Sequence, residues 1–230
     1  MSEFTLPANS KVGEGKHWAL RQPAERVESF RIYRWDPAKN ANPQMDTFDI
    51  DRDHCGPMVL DALVKINDQI DPTLAFRRSC REGVCGSCAM NIDGVNRLAC
   101  LTPIDSLKKG RSRITPLPHL RVLKDLVPDR SGLNAQYELI EPWLQSDKPP
   151  PDRERHQSRE ERAQLDGLWE CILCFCCSTS CPSYWCNQDR YLGRSCSSPT
   201  AGSPTAAISA PPSASTGSRT RSVSIAAIRS

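Results

Sequence analysis

The stretch from Cys171 to Pro182, Cys-Ile-Leu-Cys-Phe-Cys-Cys-Ser-Thr-Ser-Cys-Pro, constrains this chain more than any other. Through Cys171, Cys174, Cys177 and Cys181 it reads C-x2-C-x2-C-x3-C-P. In this bacterial iron–sulfur spacing the first three thiolates hold one 4Fe–4S cluster and the fourth reaches a neighbouring cluster. A tight turn between successive ligands lets Cys171, Cys174 and Cys177 face one cubane. The longer step and the proline then carry Cys181 away from it. A zinc knuckle is the alternative, but zinc favours two separated ligand pairs and gains nothing from a trailing C-P. Cys176 is surplus to the spacing and reads as a buried neighbour. One such run completes neither cluster, so further cysteines are needed.

The chain has twelve cysteines in 230 residues. Met1 to Lys16 has neither the apolar core of a signal peptide nor an arginine-rich amphipathic pattern. Cysteines in that context point to metal or redox chemistry rather than a disulfide framework. Residues 1–25 read as a disordered lead. A net charge of +3 with mixed signs gives no footprint for nucleic acid. No apolar run approaches the ~20 residues that cross a bilayer.

Alternation predicts strands over 26–36, around Phe30 and Ile32, and over 47–51, around Phe48 and Ile50. Val59, Leu63 and Ile66 recur at helical spacing between Pro57 and Pro72. Asp93-Gly94, flanked by Met90/Ile92 and Val95/Leu98, signals a two-residue hairpin. These elements predict an α+β domain over 26–128.

That domain carries a second constellation, Cys80-Arg-Glu-Gly-Val-Cys85-Gly-Ser-Cys88, with Cys100 beyond the hairpin. C-x4-C-x2-C with a distant fourth cysteine is the plant-type 2Fe–2S spacing, and a zinc site is again the alternative. Gly83 and Gly86 let the loop wrap closely and turn N–H groups toward sulfur. Cys55 lies outside the spacing and reads as a small buried hydrophobe. Arg77, Arg78 and Arg81 are either solvated charges or groups that offset cluster charge or meet a partner. Beyond residue 129 the pattern turns helical, with Leu133, Tyr137, Ile140 and Leu144 on one face. Residues 148–162 read as a charged linker opened by three prolines, and Leu165, Leu168 and Trp169 lead into the cysteine run.

Four segments together resemble the iron–sulfur subunit of succinate dehydrogenase. They are S-C-R-E-G-V-C-G-S-C (79–88), L-A-C-L-T-P (98–103), E-P-W-L (141–144) and E-C-I-L-C-F-C-C-S-T-S-C-P-S-Y-W (170–185). The resemblance implies a β-grasp 2Fe–2S ferredoxin domain followed by a helical domain over 129–193 with a 4Fe–4S and a 3Fe–4S cluster. It assigns Cys80, Cys85, Cys88 and Cys100 to the first cluster, Cys171, Cys174 and Cys177 to the second, and Cys181 to the third. Some relatives carry Asp at the position of Cys88. Electrons are expected to pass from the FAD of a partner flavoprotein, through the three centres, to a quinone held with membrane-anchor subunits. The expected location is peripheral, on the cytoplasmic face of a bacterial inner membrane, with no spanning segment in this chain. A fumarate reductase subunit shares these motifs and is the alternative.

Two departures from the family pattern follow. The quinone-side tryptophan that normally succeeds Trp185 is Cys186 here. The downstream C-x5-C-x3-C-P that completes the last two clusters is missing, which opens the reading of a non-catalytic module that only docks on the flavoprotein. After Arg194 the chain has no Leu, Asp, Glu, Lys or aromatic residue, a composition that buries no core. Codons formed from the last base of each tail codon and the first two bases of the next explain this. Thr200–Ser209 then spells R-W-L-A-D-S-R-D-Q, and Ser213–Ser230 spells R-L-D-R-L-E-D-P-F-R-L-Y-R-C-H-T-I. Both strings resemble the family's missing helices and include its next cysteine. The reading frame is therefore inferred to shift after Gly193, making 194–230 an out-of-frame tail. Protease is expected to remove residues 195–230 while the visible spectrum of a 2Fe–2S site persists; a resistant tail with dispersed NMR shifts contradicts the inference.

Overall fold

The computed structural model describes residues 11–39, 41–108, 110, 112–139, 152, 156, 158–163, 166, 170–188 and 191. The expected positions Ile140, Leu144, Leu165, Leu168 and Trp169, the prolines 149–151 and the tail 194–230 lie outside them.

Alternating residues build a mixed sheet that wraps one helix. β1 (Gly13–Trp18) runs parallel to β3 (Gln44–Asp51), and β3 pairs antiparallel with β2 (Val27–Arg34). Helix α1 (Val59–Gln69) follows β3, and then come β4 (Ala89–Ile92), β5 (Val95–Leu98) and β6 (Ser112–Thr115). The strand order is β1-β3-β2-β6-β4-β5. Phe30, Ile32, Phe48, Ile50, Met90, Ile92 and Ile114 share one core with Val59, Leu60, Leu63 and Ile66 of α1. Full burial of each such side chain stabilises by about 1.5–3 kcal/mol. This is the α+β class expected from the alternation and the single amphipathic helix, in the β-grasp form that the family resemblance implies.

The Asp93-Gly94 hairpin forms as expected. Asp93 (φ 52°) and Gly94 (φ 86°) are both left-handed, and Ile92 lies opposite Val95, the geometry that matches strand twist. After the sheet come β7 (Val122–Lys124), β8 (Val127–Pro128), α2 (Ser131–Leu139), α3 (Arg159–Ala163), α4 (Cys176–Thr179) and α5 (Pro182–Cys186).

Three boundaries need correction. The lead assigned to 1–25 contains β1, an edge strand whose residues are mostly polar and exposed. It pairs through its backbone, with Gly13 N donating to Pro43 O at 2.8 Å. A Cβ at Gly15 would lie 2.9 Å from Asp46 N, so that glycine admits the close pairing. β3 starts at Gln44 rather than 47, because Met45 and Asp46 are also buried. Inside the linker assigned to 148–162, Arg159–Ala163 is helical. Ser158 and Glu161 form a reciprocal capping box, at 3.1 and 2.8 Å, that starts this helix.

A buried charge network ties the sheet to the loop that follows α1. Arg34 meets Asp125 at 3.1 Å, Asp71 at 2.5 Å and Asp46 at 3.5 Å. Asp125 also accepts from Trp35 N and Ala75 N, both at 2.9 Å. Its side chain is 2% exposed and that of Arg34 14%, so removing one partner strands the others, a loss of about 3–5 kcal/mol. Burial alone would push the Asp71 carboxyl up. Hydrogen bonds from Arg34 and Thr73 outweigh it and hold the carboxyl below its ordinary value of 3.8. A depressed folded-state value stabilises fully above the ordinary value and is lost as pH falls through the depressed one. Urea titration of Asp125→Ala is expected to show a loss of about 3–5 kcal/mol at pH 7. Below about pH 4 the parent should lose stability more steeply than Asp71→Asn; superimposable pH profiles contradict the role given to Asp71.

Candidate iron–sulfur site

The loop bearing Cys80, Cys85 and Cys88 leaves the core at Leu74 and rejoins it at Ala89. Along it Arg81 (φ 65°), Gly83 (φ 78°) and Gly86 (φ 64°) are left-handed. Each reverses the local chain direction, so the backbone curls around the sulfurs with N–H groups pointing inward. Val84 N and Cys85 N both donate to Cys80 Sγ at 3.3 Å, and Ser87 N donates to Cys85 Sγ at 3.5 Å. Such donors favour thiolate over thiol. Hydrogen bonding from Ser87, followed by that involving Cys80, brings the Cys85 thiol down to about 6.

Cys88 and Cys100 are buried. The β4–β5 hairpin returns the chain so that Ala99 N donates to Cys88 O at 3.1 Å, setting Cys100 in a short helical turn, Ala99–Leu101. Burial, then the hydrogen bond with Cys88, pushes the Cys100 thiol up to about 11, while Gly83 N–H pulls the other way. All four expected cysteines thus interact at one end of the sheet. Among the described residues no three Cys, His, Asp or Glu side chains gather as ligands of a single metal ion. A 2Fe–2S cluster asks for two thiolates per iron and requires no such triple. N–H donors aimed at thiolate sulfurs fit that group.

The second run lies against the first. A Cβ at Gly86 would sit 2.9 Å from Cys174 Cβ and 2.9 Å from Ile172 O. Leu173 (φ 51°) and Phe175 (φ 63°) are left-handed. Phe175 is buried with Leu133 of α2 and Tyr184 of α5. Cys171 and Cys177 are exposed, and Cys174, Cys176 and Cys181 are partly buried. The surplus Cys176 opens α4, and its hydrogen bond to Cys174 is the first cause that brings the Cys174 thiol down to about 6. The same bond, then burial, pushes the Cys176 thiol up. Cys181 precedes Pro182 at the start of α5, and its thiol is lowered first by the Tyr184 N–H. Cys186, the expected quinone-side position, is exposed at the end of α5. Beside it the Trp185 indole N–H donates to Thr179 O at 2.7 Å. Cys55 is half-buried against the core, and burial raises its thiol.

Two residues at this site carried no sequence signal. The Arg130 guanidinium donates to Leu173 O at 3.2 Å and Cys174 O at 3.3 Å and lies 5.1 Å from the Phe175 ring. Asn96 of β5 donates to Thr179 Oγ at 3.0 Å and Ser180 Oγ at 2.8 Å. Of the arginines singled out from the sequence, Arg77 donates to Pro128 O at 3.0 Å, and Arg78 and Arg81 are exposed.

Residues 29–135 match the family described as a 2Fe-2S iron-sulfur cluster binding domain. The succinate dehydrogenase iron-sulfur subunit of Paracoccus denitrificans is 57% identical over 193 residues, covering 84% of this chain and 74% of that relative. A solved structure, the Mycobacterium smegmatis Sdh1 complex in the apo form, contains a chain similar in fold. Its TM-score is 0.63 at 26% identity, over 75% of this chain and 72% of that one.

The opposed thiol shifts give a kinetic signature. In the reduced, cluster-free chain at pH 7.5, iodoacetamide is expected to alkylate Cys85 at least ~10-fold faster than Cys100, since only the thiolate reacts. Peptide mass spectrometry reads the two rates; equal rates contradict the electrostatics described for the loop.

Proposed function

We propose that this chain, which belongs to the family of succinate dehydrogenase iron–sulfur subunits, accepts electrons from a partner flavoprotein at a 2Fe–2S centre held by Cys80, Cys85, Cys88 and Cys100. The observation that carries this reading is the loop 80–88, whose backbone N–H groups converge on the Cys80 and Cys85 sulfurs. Bound there, a 2Fe–2S cluster supplies reversible one-electron transfer. The protein's part is to hold thiolates, donate N–H groups to them and bury Cys88 and Cys100 away from water. On this reading 26–128 is the ferredoxin-type domain and 129–193 an incomplete helical one.

The second run fits its expected groups only in part. Cys171, Cys174 and Cys177 provide three of the four thiolates a 4Fe–4S cluster takes, and Cys181 provides a single ligand for a 3Fe–4S centre. The reading that 194–230 is out of frame accounts for the shortfall. In its support, the similarity to the Paracoccus subunit leaves unmatched a remainder comparable in length to that tail. An in-frame continuation would carry the missing cysteines and complete the path from FAD through the 2Fe–2S, 4Fe–4S and 3Fe–4S centres to quinone. Among the described residues no helix is long and apolar enough to cross a membrane. Membership of the family supports peripheral attachment to anchor subunits, read here as at the cytoplasmic face. The ligand count favours a second reading for the chain as written: a module that docks on the flavoprotein and passes no electrons onward. The fumarate reductase alternative shares these motifs and runs the reaction in reverse.

The test is succinate-driven quinone reduction by complexes built with this 230-residue chain and with its frame-restored counterpart. The frame-restored complex is expected to turn over and the complex with the chain as written to show none. Full rates from the 230-residue form, its mass confirmed, contradict the ligand assignment. Cys80→Ser, Cys85→Ser and Cys100→Ser are each expected to abolish the 2Fe–2S absorption, with Cys88→Asp retaining more of it.

A further inference from the structure

Three residues that serve as no ligand each touch the second cysteine run. Gly86 sits where any side chain would collide with it. A Cβ there would lie 2.9 Å from Cys174 Cβ, 2.9 Å from Ile172 O and 3.0 Å from Cys174 Cα, and two of these three atoms are backbone, which cannot swing aside. Arg130 donates to the carbonyls of Leu173, the first left-handed residue of the run, and of Cys174, which follows it. Asn96, held by Asn91 at 2.7 Å, donates to the hydroxyls of Thr179 and Ser180 and reaches Cys176 O at 3.4 Å. The contacts fall at the start, middle and end of the segment 172–180. They come from three separate places outside the run: the cluster loop and the β4–β5 hairpin of the first domain, and the junction before α2 that opens the second. The run's own buried apolar support among the described residues is small, namely Leu133, Phe175 and Tyr184.

We propose that Gly86 and Asn96 of the ferredoxin-type domain, with Arg130 just beyond it, form a three-residue clamp that positions the run 172–180, with Gly86 setting the closest approach of the two cysteine loops. The inference deepens the electron-transfer reading and rests on it for its purpose, because tunnelling between redox centres falls exponentially with their separation. A bare glycine at the point of contact brings the Cys85–Cys88 loop and the Cys174 backbone to van der Waals distance. Arg130 and Asn96 then prevent the run from lifting off. They are positioning residues, and the downstream cysteines are not needed for the docking they produce.

Hydrogen–deuterium exchange of the full 230-residue chain, reconstituted with iron and sulfide, tests the clamp. Gly86→Ala and Asn96→Ala are expected to speed exchange of the amides at 172–180 by ~10-fold or more, with α1 amides unchanged. Gly83→Ala is the control: it has the same left-handed strain in the same loop, but the three atoms nearest its Cβ would all belong to the Leu101 side chain. It should leave 172–180 within ~2-fold of the parent. Parent-like exchange in Gly86→Ala and Asn96→Ala overturns the proposal, and so does an equal acceleration by Gly83→Ala. If Gly86→Ala fails to retain the 2Fe–2S absorption, Asn96→Ala decides alone, since it lies in β5 outside the ligand loop. A chain that keeps this exchange pattern yet takes no electrons from the flavoprotein would overturn the electron-transfer reading and leave the clamp standing.

Discussion

Donation from backbone N–H to cysteine sulfur is the interaction on which the rest of this structure depends. Two amides aimed at Cys80 Sγ require a chain that turns back on itself within a few residues, and that requires left-handed backbone at Arg81 as well as at glycines. A non-glycine residue in that region costs of order 1–3 kcal/mol. A hydrogen bond contributes about 0.5–1.5 kcal/mol net, so the two N–H donors offset that strain only while both loop ends are fixed. One end is fixed by Asp125, which binds Arg34, Trp35 N and Ala75 N together. The other end runs directly into β4 and the main core.

On the proposed clamp, the second run takes its order largely from residues outside it. Its small cluster of Leu133, Phe175 and Tyr184 stabilises by roughly 5–9 kcal/mol at the transfer values for single side chains. Ordering the run's residues costs about 1–2 kcal/mol each in backbone entropy alone. That balance fails without contacts from elsewhere. Fold and function therefore separate in this chain. The contacts of the cysteine run lie within the described residues, whereas on the proposed ligand assignment completing its clusters needs thiolates beyond Cys171, Cys174, Cys177 and Cys181.

The parts legible in the sequence were those where one local rule has no competitor. Asp93-Gly94 demanded a tight hairpin, and Val59, Leu63 and Ile66 demanded a buried helix face. β1 was illegible because Gly13–Trp18 pairs through its backbone at a sheet edge and buries little, leaving no hydrophobic period to read. The helix Arg159–Ala163 is masked in the sequence by its charge, and Ser158 and Glu161, which spell a capping box, are its one local signal. Arg130 and Asn96 belong to a third kind. Each acts on a residue more than forty positions away in sequence, and no local pattern encodes such a contact. Gly86 was read correctly as a residue that lets the loop wrap; that it also faces Cys174 is a fact of tertiary packing alone.

The central claim is that four thiolates in 80–100 form a complete site while the later run does not. Iron, zinc and labile-sulfide analysis of the full-length chain, paired with low-temperature EPR of its reduced and oxidised forms, tests it most directly. The account predicts two irons and two sulfides per chain, as a 2Fe–2S site with four cysteine ligands requires, with one rhombic signal on reduction. No 3Fe–4S signal should appear in the oxidised chain. Stoichiometric zinc without sulfide, or a full 3Fe–4S signal from the chain as written, would contradict it.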